Sequence, residues 1–315
     1  MQKPFSVTAA LFQTTAFCLG FARLVLACSL LSASGCAWLD AKQRQAIYRP
    51  TQGVPADFAR LRAGDERYFV NLPQTAAAGP TPAALQRIEI WWLPHVDNNA
   101  PTLLYFHGTF RNLYENAHKI DSLRAAGFAV LGVEYRGWGM STPITPSEKT
   151  ILMDANVAWA ELQRREPRAD QRVIYGHSMG SGVAVDLASR LRANADYGAL
   201  ILESAFSSFA DVAREAGIFA SMLALANNER FASIAKIGKV HAPLLMIHGS
   251  ADTTIPITLG KKLFDAANVP KQWLVIDGGA HSDLNDVGKA RYQAALQDFK
   301  EKYLSQPLPI RPEKL

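Results

Sequence analysis

The sequence predicts an α/β protein built on a doubly wound, mostly parallel sheet with helices on both faces. Three observations predict it. From Thr102 onward, short apolar runs alternate with stretches of helical period. Most of those runs are apolar without interruption, as a strand covered on both faces requires. One of them, Val173-Ile174-Tyr175, enters Gly176-His177-Ser178-Met179-Gly180 and leaves through small and apolar residues at helical spacing, so a strand, a sharp turn and a helix meet there.

In chain order, residues 1–36 read as a targeting segment. From Phe5 to Trp38 the only charged residue is Arg23, which is too apolar for a solvated arm. Arg23 precedes the apolar run Leu24 to Leu31, which leads into Ser32-Ala33-Ser34-Gly35-Cys36. Small residues before a cysteine resemble the bacterial lipobox, at which Cys36 would be lipidated and become the new N-terminus. An uncleaved anchor and a cleaved, secreted form are the alternatives, and Cys28 after Val25-Leu26-Ala27 is a rival cysteine. Several acyl chains on one residue hold a protein at a membrane without a spanning helix. The lipobox-like run sets the expected location as the bacterial cell envelope, facing the periplasm. Ala37 after Cys36, in place of the Asp that signals inner-membrane retention in enteric bacteria, points to the outer membrane where that rule applies.

Residues 37–84 form a leader of mixed charge, Pro and Gly with little periodicity and one strand at Arg67 to Asn71. The α/β domain is expected over 85–305, with a short tail at 306–315. Its strands are Arg87 to Leu93, Pro101 to Gly108, Ala129 to Glu134, Arg172 to Tyr175, Ala199 to Glu203, Leu244 to His248 and Gln272 to Ile276. Helical patterns lie near Leu113 to Ala126, Ser147 to Arg165, Gly180 to Ala193, Leu259 to Ala267 and Asp283 to Tyr303. The longest interval without a strand is 205–240. Its apolar residues, among them Phe206, Phe209, Ile218, Phe219, Met222 and Leu223, suffice for one or two helices, either a small cap or ordinary connections over the sheet.

Composition removes several classes of function. The 315-residue chain carries a net charge of +5, with no long Lys/Arg block and no interleaving of aromatic and basic residues, so nucleic acid is not an expected partner. All three cysteines precede residue 37, so the folded body has no thiol for a disulfide, a metal or a nucleophile. No cofactor is implied, and the oligomeric state is not legible.

The chemistry centres on Ser178. At the tip of a strand-turn-helix its hydroxyl is pushed into a cleft, and the helix starting at Met179 turns its free N–H groups toward any oxyanion forming there. A serine hydroxyl needs a base, and the base needs a carboxylate to fix its tautomer. His281, in Gly278-Gly279-Ala280-His281 after the last strand, is the candidate base. Asp252, in His248-Gly249-Ser250-Ala251-Asp252 after the strand before, is the candidate acid, with Glu203 the main rival and Asp277 a weaker one. Met179 N–H is one oxyanion donor. Thr109 N–H, in the loop His107-Gly108-Thr109-Phe110, is the candidate for the second. His107, His177 and His248, each at a strand end, brace loops rather than bind metal.

His107-Gly108, Tyr135-Arg136-Gly137-Trp138-Gly139-Met140-Ser141, Gly176-His177-Ser178-Met179-Gly180, His248-Gly249 with Asp252 and Pro256, and Ala280-His281 together resemble the α/β-hydrolase superfamily. Within it they are most similar to the serine aminopeptidase-like and monoacylglycerol-lipase-like branch. The resemblance spans roughly residues 85 to 303 and implies Ser178 as nucleophile, Asp252 as acid, His281 as base and Thr109 with Met179 as oxyanion hole. It implies a serine hydrolase acting on an ester-type, small or lipid-like substrate through an acyl-enzyme. Amide or peptide cleavage with the same triad and a non-catalytic scaffold at a membrane surface are the alternatives.

Overall fold

The computed structural model describes residues 38–73, 85–217 and 229–304. Cys36 and the rest of the targeting segment, the tail, and residues 218–228 of the cap interval lie outside them.

Eight strands form one sheet: β1 Glu66–Asn71, β2 Arg87–Leu93, β3 Thr102–Phe106, β4 Ala129–Glu134, β5 Arg172–His177, β6 Ala199–Glu203, β7 Leu244–Gly249 and β8 Lys271–Ile276. Their order is β1-β2-β4-β3-β5-β6-β7-β8. β1 and β2 run antiparallel to their neighbours and the other pairings are parallel. The uninterrupted apolar runs are explained by two cores, one on each face. Along β3, Leu104 and Phe106 join one core while Leu103 and Tyr105 join the other, and β5 divides in the same way between Ile174 and Val173 with Tyr175. Each such side chain contributes about 1.5–3 kcal/mol by leaving water.

The helices follow from local chemistry at their ends. In α3, Glu148–Arg165, the Ser147 side chain accepts from the Thr150 amide and Thr150 reciprocates to the Ser147 amide. α2, Ala117–Ala125, begins later than its apolar pattern because turns occupy Leu113 to Asn116. α4, Met179–Ala188, ends earlier than expected. α6, Ile257–Ala266, packs on β7. The expected C-terminal helix is two, α7 Leu284–Val287 and α8 Lys289–Leu304, divided at Gly288.

Residues 38–73 are built into this body. Residues 38–48 form a helix, α1, where sequence periodicity was weak, and β1 extends the sheet. Tyr48 at the end of α1 is fully buried, its ring edge-on to Trp138 at 6.1 Å. Gly53 N donates to Gly139 O and Gly139 N to Thr51 O, both at 2.9 Å. Within 205–240 the described residues form α5, Phe209–Glu215, and two short 3-10 turns, Ser233–Ala235 and Ile237–Lys239. Phe206, Phe209 and Phe231 pack in series as tilted rings, with centroids 5.2 and 4.7 Å apart. Among the described residues no helix is long and apolar enough to cross a membrane.

Candidate active site

The parallel strands all point their carboxyl ends to one rim, and the loops leaving β3, β5, β7 and β8 meet there. β5 delivers Ser178 at its end with φ 54° and ψ −124°, a conformation that costs a non-glycine residue on the order of 1–3 kcal/mol. The turn is tight enough that a Cβ on Gly176 would collide with the Gly180 carbonyl, and one on Gly180 with that of Phe106. The amide of Ser178 is tied across the sheet to Glu203 O at 3.0 Å.

Three of the residues expected to act together stand in a line. His281 Nε2 lies 2.8 Å from Ser178 Oγ, and His281 Nδ1 lies 2.8 Å from Asp252 Oδ2. A carboxylate only accepts, so Nδ1 carries the proton and Nε2 is left to accept from the serine hydroxyl. The other carboxylate oxygen of Asp252 accepts from the amides of Thr254 at 2.9 Å and Ile255 at 2.8 Å. Asp252 therefore caps its own turn and faces the histidine at once. Burial pushes its carboxyl upward, but hydrogen bonds from His248, His281 and the Ile255 amide outweigh that and hold it well below the usual carboxylate range. It is ionised at neutral pH.

The rival acids are engaged elsewhere. Glu203 is fully buried, pairs with the Lys119 ammonium and accepts from Tyr175 and, at 2.7 Å, from Tyr292. Burial alone would raise its carboxyl, yet Lys119, His177 and the Tyr175 hydroxyl bring it down to about 2. Asp277 is exposed and pairs with Arg291 at 3.0 Å.

The backbone of His281 is clamped from below. Its carbonyl accepts from His177 Nε2 and Ser204 Oγ, each at 3.0 Å. Burial, with Lys119 close by, pushes His177 down to about 3, so it is a neutral ring with its proton on Nε2. His248 donates to the Ile255 carbonyl at 2.9 Å, and His107 Nδ1 lies 2.7 Å from the Gly108 carbonyl. Each of these histidines braces a loop. Among the described residues no group of three or more His, Cys, Asp or Glu side chains is arranged to hold a metal ion. Sequence reasoning passed over Lys119, the partner of Glu203, because nothing in an amphipathic helix marks one lysine as buried, and it passed over Ser204, whose role is purely spatial.

Ser178 and His281 open onto a cavity of about 500 Å³ also lined by Gly108, Thr109, Phe110 and Arg111. Gly108 lies close against Ser178, since a Cβ there would lie 3.1 Å from Ser178 Cβ. Among the described residues neither Thr109 N–H nor Met179 N–H has a protein acceptor. The arrangement provides a hydroxyl, a base to take its proton, an anion to stabilise the resulting cation, and two unspent donors beside them.

This fold, with a hydroxyl at the elbow after its fifth strand, defines a class of proteins, and sequence comparison agrees. The chain belongs to the α/β-hydrolase superfamily. The sequence model described as serine aminopeptidase, S33, matches residues 97–230, a span that includes Ser178 but stops short of Asp252 and His281. An uncharacterized protein of Mycobacterium tuberculosis is 34% identical over 263 residues, covering 82% of this chain and 88% of its own. Lysophosphatidylserine lipase ABHD12 of Danio rerio is 31% identical over 223 residues, covering 64% of this chain and 56% of its own. Among solved structures, the Pyrococcus furiosus esterase Pf2001 superposes with a TM-score of 0.62 at 16% identity, covering 81% of this chain and 97% of that one, a likeness of fold.

Proposed function

We propose that this chain is a serine hydrolase that cleaves a carboxylic ester, small or lipid-like, through an acyl-enzyme. The observation that carries the reading is the line Ser178, His281, Asp252, with 2.8 Å at both contacts, at the floor of an open cavity. Ser178 Oγ attacks the ester carbonyl while His281 Nε2 takes its proton, and the carbonyl oxygen becomes an oxyanion facing the N–H groups of Thr109 and Met179. Collapse expels the alcohol, which leaves with the proton from His281. Water, deprotonated by the same imidazole, then attacks the acyl-serine and releases the acid. Asp252 holds the histidine tautomer and balances the imidazolium formed in both halves.

The lipase among the relatives favours an ester over an amide. The serine aminopeptidase description of the matching family favours the second reading, amide or peptide cleavage by the same residues. Incubation with a fluorophosphonate is expected to add one phosphonyl mass at Ser178 in the wild type and none in Ser178→Ala. An unlabelled, folded wild type would leave the non-catalytic scaffold as the surviving reading. Nitrophenyl esters of graded chain length set against aminoacyl anilides decide between ester and amide. We further propose that Cys36 is lipidated and anchors the enzyme in the cell envelope. A Cys36→Ser protein that stays in the membrane fraction with its mass otherwise unchanged from the wild type argues against that.

A further inference from the structure

A peptide unit is planar and trans, so its C=O and N–H point in opposite directions. Whatever grips the carbonyl from one side therefore aims the amide hydrogen out of the other. Two peptides border the hydroxyl of Ser178, and both are gripped from behind by a fully buried side chain.

In the first, Gly108–Thr109, the Gly108 carbonyl accepts from His107 Nδ1 at 2.7 Å. A carbonyl can only accept, so that nitrogen carries the proton. His107 is itself fixed: its Nε2 stands 3.0 Å from Glu134 Oε1, both side chains are inaccessible to solvent, and its ring lies against Tyr135 and Trp138. Burial raises the Glu134 carboxyl, against the His107 ring and the Leu113 amide, which lower it. The next peptide is held as well, because Trp138 Nε1 donates to the Thr109 carbonyl at 2.7 Å. The α-carbon of Thr109 is thus pinned on both sides. In the second, Ser178–Met179, the Ser178 carbonyl accepts from Ser181 Oγ at 2.6 Å and Ser181 N at 2.8 Å. Ser181 is wholly buried, and this hydroxyl has no other acceptor among the described residues.

We propose that His107 and Ser181 are positioning residues that aim the Thr109 and Met179 amides at the transition-state oxyanion. The inference rests on the serine-hydrolase reading of the site and goes beyond it, since neither side chain touches the substrate. Donors fixed before reaction need no reorganisation as charge develops, and that is where such a site gains most of its rate. The two anchors differ in what they leave behind. Removing the Ser181 hydroxyl leaves the Ser181 amide on the same carbonyl, whereas removing the His107 ring frees the Gly108 carbonyl entirely.

The test compares Ser181→Ala, His107→Leu and His107→Asn, the last placing an amide N–H near the position of Nδ1. Three readouts are taken: kcat and KM on a neutral nitrophenyl ester, the inhibition constant of a trifluoromethyl ketone that forms a hemiketal oxyanion on serine, and thermal unfolding. Loss of a whole oxyanion donor costs about 10²- to 10³-fold in kcat. Loosening one is expected to cost about tenfold in Ser181→Ala and about 100-fold in His107→Leu, with KM unchanged and the ketone weakened by the same factor as kcat/KM. His107→Asn should recover most of the His107→Leu loss. A merely structural role would lower the unfolding temperature and leave the ratio of ketone to substrate affinity as in the wild type, and that result overturns the proposal. So does a Ser181→Ala protein within twofold of wild type in both rate and ketone binding, or equal impairment of Leu and Asn at position 107. Should His107→Leu fail to fold, Ser181→Ala and His107→Asn still decide. A wild type that reacts with neither ester nor ketone overturns the serine-hydrolase reading instead.

Discussion

Replacing Asp252 with Asn is the sharpest probe of the candidate triad, because the structure fixes what the amide would do. The carboxylate oxygen that accepts from Thr254 and Ile255 can be replaced by the Asn oxygen without loss of either bond. The Asn NH₂ must then face His281 Nδ1 across the present 2.8 Å contact, and two donors cannot share it. The imidazole is driven to the other tautomer, with Nε2–H directed at Ser178 and unable to take its proton. The charge lost is also substantial. A carboxylate and an imidazolium about 4 Å apart in a partly shielded site attract by about 4 kcal/mol, about 10³ in rate. With the wrong tautomer added, the expected loss in kcat is about 10⁴, close to 5.5 kcal/mol. The assay is steady-state hydrolysis of a nitrophenyl ester, with Glu203→Gln and Asp277→Asn as parallel variants. Asp252→Asn within tenfold of wild type, with either parallel variant inactive, would refute the assignment.

Three further outcomes follow from the same geometry. Ser178→Gly removes a side chain from a positive-φ position and should be more stable than Ser178→Ala by about 1 kcal/mol while both are inactive, as urea unfolding will show. Lys119→Met leaves the fully buried Glu203 without its cation, at an expected cost of about 3–5 kcal/mol in the same measurement, and a change under 1 kcal/mol would mean that Tyr175 and Tyr292 suffice. His177 at about 3 and Glu203 at about 2 both lie below their ordinary values of 6.5 and 4.5. The unfolded chain therefore binds more protons than the folded one in that range, and stability falls as pH drops from about 6.5, first through His177 and below about 4.5 through Glu203 as well. Roughly 3 kcal/mol should be gone by pH 4 on account of His177, and a flat profile between pH 6.5 and 4 would contradict its neutral, buried state.

What the sequence determined by itself was whatever depends on near neighbours in the chain. Uninterrupted apolar runs such as Leu103 to Phe106 demand cover on both faces, and the elbow at Ser178 follows from two glycines set around one serine. The order Ser178, Asp252, His281 after β5, β7 and β8 was legible for the same reason, as each residue sits beside the glycine or strand end that places it. Tertiary structure decided the rest. Ser147 and Thr150 cap α3 locally, but α1 at 38–48 has no strong period of its own and is held where Tyr48 meets Trp138. The sequence preferred Asp252 but kept Glu203 as its rival, and three-dimensional proximity separates them: Asp252 lies 2.8 Å from His281, while Glu203 is engaged by Lys119 and two tyrosines. The anchoring of the Gly108 and Ser178 carbonyls is likewise a matter of direction, and the direction of a hydrogen bond is not written in residue type or spacing.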